Sequence, residues 1–190
     1  VIVMGFLSFG LKKGKVQKML EEGQFEVLIE EALKDKKVRE ALFELLSSNN
    51  PGVIGDALLT ITNLLERDSK LLKEYLKEEN FKKLLALVES KNPYVRENAM
   101  VLAYSVIKAY PELMKKYRSW IVEEVARSLR EGDKNQKGFV LVIIGELGLK
   151  ELEPDVKSLV GVEDKVILPF EGKKWVKLGD IASETLEKLS

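Results

Sequence analysis

The chain holds no cysteine and no histidine in 190 residues, and this double absence excludes more chemistry than any motif in it supplies. Without thiols there is no disulfide framework and no thiol nucleophile. Without imidazoles the usual zinc sites and the base that titrates near neutral pH are missing as well. Net charge is also absent: 31 Lys and Arg stand against 31 Asp and Glu, so no global field draws the protein to nucleic acid or an anionic membrane. Long apolar runs are lacking. The longest, residues 1–11, is too short to span a bilayer, and its positive charges follow it where a signal peptide would place them first. No membrane span, cofactor or metal is therefore expected, the reading is non-enzymatic, and a cytoplasmic location is the default.

Charged residues make up 33% of the chain, with Lys and Glu dominant, which is the compositional lean of proteins from hot environments. The chain is long enough for one domain with a sizeable core. Its main internal feature is a period of about 42 residues. Asn50-Pro51 recurs as Asn92-Pro93, and behind each Pro the apolar positions run in parallel: Val53 with Val95, Ala57 with Ala99, Ile61 with Ala103, Leu64 with Val106 and Leu65 with Ile107. Apolar residues at helical spacing that repeat at this length describe a unit that buries its face only by stacking on neighbours.

Residues 1–14, punctuated by Gly5, Gly10 and Gly14, read as an apolar N-terminal arm. Residues 15–190 read as one repeat domain of about four units, with lead-in helices over 15–34 broken at Gly23. Repeat one pairs helices over 38–46 and 53–65. Repeat two has a short helix over 69–78 capped by Ser69, then 81–88 and 95–109. Repeat three uses 121–129 and 138–149. In the fourth unit, helices over 152–160 and 178–189 flank a longer connection. There, β-prone runs around Glu171-Gly172 predict a hairpin over 165–177, with Pro169 at an edge.

The strings NPGVIGDALLTITNLLE and NPYVRENAMVLAYSVIKAYPELMKKY resemble HEAT repeats. The closing VKLGDIASETLEKL is similar to the last helix of archaeal and bacterial HEAT-like proteins related to phycobilisome-lyase repeats. The resemblance spans roughly residues 24–190. It implies an all-α, right-handed α-α superhelix with a short β-hairpin in its last repeat, used to bind other macromolecules.

If Val95, Ala99, Leu102 and Val106 face the core, the opposite row carries Val101, Tyr104 and Lys108. One period earlier it carries Leu59 and Thr62, and one period later Phe139 and Ile143. Large apolar residues on that row mark a partner-binding surface, expected to take a protein. Phe6 and Phe9 of the arm, with Lys12 and Lys13 behind them, form a second candidate contact, docking on this chain or on a partner. The runner-up partner is a ribonucleoprotein or nucleic acid met by Lys12, Lys13, Lys15 and Lys18. Two further clusters, Lys34, Lys36, Lys37 with Arg39, and Lys115, Lys116 with Arg118, fit either a phosphate stripe or a solvated surface of mixed charge. The N-terminal GFLSFGLKKGK fails as a phosphate-binding loop, because Leu11 stands where a Lys is needed. Trp120 reads as core. Trp175 is either the cross-strand partner of Phe170 or an exposed anchor, and packing onto the last helices is the favoured use.

Overall fold

In a computed structural model the backbone is described over residues 2–190 and side chains over residues 12–190. The protein is mostly helical, with one two-stranded antiparallel sheet, and it divides into two compact units, residues 1–105 and 106–190. Among the described residues no helix is long and apolar enough to cross a membrane.

The first unit contains α1 (Ile2–Glu21), α2 (Phe25–Lys34), α3 (Lys36–Glu44), α4 (Pro51–Arg67), α5 (Glu78–Leu87) and α6 (Pro93–Ala109), the last of which runs past the boundary. The arm expected over 1–14 is instead the first part of α1, which packs on α2, α3 and α4. Each interior glycine costs about 1 kcal/mol relative to Ala. Tertiary packing outweighs that cost here, since the same helix continues into buried Val16, Met19 and Leu20. Between α4 and α5 the chain makes two 3-10 turns, Ser69–Leu71 and Lys73–Tyr75. The residue that caps the first is Asp68, whose carboxylate accepts from the Lys70 amide at 3.1 Å; Ser69, expected as the cap, is already inside the turn.

The 42-residue period survives in atomic detail. Asn50 accepts through Oδ1 from the Gly52 and Val53 amides at 2.9 and 3.4 Å, and Asn92 accepts from the Tyr94 and Val95 amides at 2.9 and 3.2 Å. Each Asn amide in turn donates to a serine two residues back, Asn50 to Ser48 Oγ at 3.1 Å and Asn92 to Ser90 Oγ at 3.2 Å. Proline follows both caps at the first helical position, where a missing N–H costs nothing. From that common start the same positions are buried in both helices: Val53 and Val95, Ala57 and Ala99, Leu58 and Met100, Ile61 and Ala103.

The second unit contains α7 (Pro111–Lys116), α8 (Arg118–Glu131), α9 (Lys134–Leu147), α10 (Glu153–Lys157), β1 (Lys165–Ile167), β2 (Lys174–Lys177) and α11 (Leu178–Leu189). The hairpin lies where the sequence predicts it. Its turn puts Glu171 and Gly172 both at positive φ, 53° and 65°, the pairing whose twist matches that of the flanking strands. Strand pairing joins Lys165 to Lys177 and Val166 to Val176, then slips so that Ile167 meets Lys174. Trp175 is thus the extra residue of a β-bulge.

Three substitutions test this frame. Asn92→Ala and Asn50→Ala should each cost about 1 kcal/mol in denaturant unfolding; widely unequal losses would mean the two turns are not equivalent. Ala99 is fully buried, so Ala99→Leu should lower stability by about 1 to 3 kcal/mol through overpacking, and an unchanged midpoint would contradict the packing described.

Candidate functional site

The row nominated from the period divides once the helices are in place. On α4, Leu59 is 38% exposed, whereas Thr62 is buried and donates its hydroxyl to the Leu58 carbonyl at 2.9 Å. On α6, Val101 is half-buried, Lys108 is exposed and Tyr104 is buried. Thr62 and Tyr104 sit twelve residues after their respective caps and are buried in both helices, so Tyr104 packs in the core rather than standing on the surface.

Phe139 and Ile143 are core residues too, at 1% and 2% exposure. Their helix α9 is buried on every side through its middle, where the sequence reading requires a wet face. Covering it are α8, α11 and the hairpin: Thr185 of α11 donates to the Leu141 carbonyl at 2.9 Å, Phe170 meets Phe139 edge-on at 6.0 Å, and Val166 packs against Gly138. The register also slips. Asp133 caps α9 in a capping box with Gln136, so the third cap falls 41 residues after Asn92, and counting by 42 misplaces each side chain by one residue, or about 100° around the axis.

What α4 and α6 present to solvent includes a residue that the sequence reading missed. Tyr94, 42% exposed, lies seven residues before Val101 on the same face of α6. Its ring is laid against Gly55 of α4 so closely that a Cβ there would stand 2.2 Å from two ring carbons. Its hydroxyl donates to Asp56 Oδ1 at 2.5 Å. Burial of the phenol, then the hydrogen bond and charge of Asp56, push its pKa up to about 12. The available signal was the glycine itself: an unbroken apolar helix that retains Gly in its interior has a neighbour in the place of a side chain. Leu59, one turn beyond Gly55, completes an apolar strip with Tyr94 and Val101.

Three of the four lysines in the N-terminal cluster are paired with carboxylates, whereas Lys34, Lys36 and Lys37 of the second cluster form no ion pair with a described residue. Lys12 pairs with Asp35 at 3.2 Å, Lys15 with Glu31 at 3.9 Å and Lys18 with Glu22 at 4.0 Å. Asp35 is held below its ordinary value first by the Lys37 amide and then, against some desolvation, by Lys12. Arg39 is buried, donating to the Ala32 carbonyl at 2.7 Å and to the Tyr75 hydroxyl at 3.3 Å. Arg118 grips Glu151 with two bonds of 2.6 and 2.7 Å, which bring that carboxyl down to about 2. Lys13 is half-buried, and the Phe6 and Phe9 side chains lie outside the described residues. Trp120 is half-buried in α8.

One cleft of about 270 Å³ opens beside α3 and α5, lined by Glu40, Phe43, Glu44, Tyr75, Asn80 and Lys83. Its floor is structural: Tyr75 stacks on Phe43 at 5.2 Å, and Asn80 donates to the Tyr75 carbonyl at 2.6 Å. Burial of the Tyr75 hydroxyl raises its pKa, which keeps it protonated. Among the described residues no group of carboxylates is gathered to hold a metal.

The hairpin overturns the expected use of Trp175. It is 66% exposed, and Phe170 turns away from it to Phe139. Its φ of 54° is rare for a bulky residue and costs on the order of 1–3 kcal/mol. No protein-family model matches the chain, and no curated protein matches it.

Tyr94 supplies a titration. A phenol whose folded pKa lies above its unfolded value adds stability that is complete below the unfolded pKa, about 10, and is lost as pH rises through about 12. Stability should therefore fall across that window, and less steeply in Tyr94→Phe; identical slopes in the two proteins would show that Tyr94 is not held as described.

Proposed function

We propose that this protein is a non-enzymatic binding module, a HEAT-like right-handed α-α superhelix whose second helices offer a protein partner their outward face. The observation that carries the reading is the pairing of two features in successive repeats. α4 and α6 start from the same Ser-x-Asn-Pro turn and bury the same side, with Ala57 and Ala99 fully enclosed. The side left outward then carries Leu59, Tyr94 and Val101. A solvated helix face has no use for an exposed leucine and tyrosine side by side, whereas a partner gains from both, and tyrosine is among the residues most used to anchor an interface.

The strip replaces the longer row read from the period, which lost Tyr104, Phe139 and Ile143 to the core. Polar residues surround it: Asp56 and Asn63 are half-buried and Glu66, Glu97 and Lys108 are exposed. That arrangement is an apolar centre with a hydrated rim. The alternative partner, a ribonucleoprotein met by Lys12 to Lys18, has less support, because three of those lysines already face carboxylates of this chain.

Leu59→Asp tests the proposal. Being at an exposed position it should change stability by no more than about 0.5 kcal/mol, while partners captured by the wild-type protein from extracts of the source organism should drop about tenfold on the variant. Retention of the same partners at the same level would remove the α4–α6 face from the interface.

A further inference from the structure

The outward face of the hairpin carries an indole and three lysines for which the fold has no use. Val166 and Val176 pair on the inner side, the first buried and the second half-buried, so Lys165, Lys174 and Lys177 project the other way and are all exposed. Lys165 and Lys177 are direct cross-strand partners, an arrangement in which like charges repel. None of the three forms an ion pair with a described residue, although Lys173 beside them does, reaching Glu184 at 2.6 Å. Between Lys174 and Val176 the bulge sets Trp175 at positive φ and leaves its ring outside, 66% exposed. The nearest acidic residues in sequence, Glu163, Asp164, Glu171 and Asp180, all fall outside the paired segments. Backbone strain and facing like charges both work against the hairpin, and both act to set one flat ring among unneutralised cations.

We infer that this face binds single-stranded nucleic acid, with one base stacked on the Trp175 indole and neighbouring phosphates met by Lys165, Lys174 and Lys177. The chemistry is that of a stacking platform with a cationic surround, which accepts any base because every base has a π-face. An acidic peptide would use the lysines and leave the ring idle. A membrane would use the ring, but only one large side chain stands clear among three charged ones, which is too little apolar surface for stable insertion. This contact is separate from the protein-binding strip of the first unit and does not depend on it. It also differs from the lysine-rich segments legible in sequence, because strand register rather than chain proximity assembles it.

The test uses the full chain carrying Trp120→Phe, which leaves Trp175 as the sole indole. Titrating a single-stranded RNA of about twelve nucleotides should quench the indole, with affinity falling steeply as salt rises. Trp175→Ala, followed by anisotropy of a labelled copy of the same RNA, should weaken binding about tenfold. Lys177→Gln should lower the slope of log affinity against log salt by about 0.7. Trp175→Gly should bind as poorly as Trp175→Ala while raising the melting temperature, since glycine takes the positive φ freely; that pairing separates a binding role from a structural one. No binding at low salt, equal binding by Trp175→Ala, or an indole response to phosphatidylserine vesicles but not to the RNA would each overturn the inference.

Discussion

Each of two asparagine side chains fixes where a long helix begins, and much of the first unit depends on where those helices begin. Asn50 and Asn92 satisfy the amides that open α4 and α6, and Ser48 and Ser90 hold the asparagines in place. Once the first residue is set, the helical repeat determines which side chains turn inward. Ala57 and Ala99 then face their neighbours with only a methyl group between, and the larger Val, Leu and Ile residues around them fill the remaining volume. The outward strip of Leu59, Tyr94 and Val101 is what this arrangement leaves over.

The same logic shows how far the sequence can be read. Turn chemistry is local, so the Asn-Pro pairs, the helices behind them and the hairpin around Glu171-Gly172 are legible from neighbouring residues alone. α9 is not, because a helix covered on all sides has no polar stripe through its middle, and residues 138–144 offer only apolar side chains and a glycine. Its cap was nevertheless visible as Asp133 with Gln136 three residues on, and counting from that cap corrects the register that counting by 42 gets wrong. α1 was misread for the opposite reason. Its glycines are a true local signal, and packing against α2, α3 and α4 overrides it.

Charge was the least legible property. Sequence groups lysines by proximity along the chain, whereas their neutralisation comes from other elements: Asp35 for Lys12, Glu31 for Lys15 and Glu151 for Arg118. Arg39, read as part of a cationic cluster, is buried with its guanidinium against the Tyr75 ring at 6.0 Å. Conversely, Lys165, Lys174 and Lys177 look scattered and are gathered by strand register. Exposed ion pairs of this kind add little stability individually. Their effect is to decide which cations remain available.

The seating of Tyr94 on Gly55 ties two positions 39 residues apart into one heritable unit. A methyl group at 55 has room only once the ring at 94 has gone or swung out, and a glycine at 55 without that ring leaves a dent in α4 and weakens the helix. Neither position drifts alone without loss, so in descendants of this chain the two should be exchanged together or kept together, and Asp56, which holds the ring's hydroxyl, should follow the tyrosine.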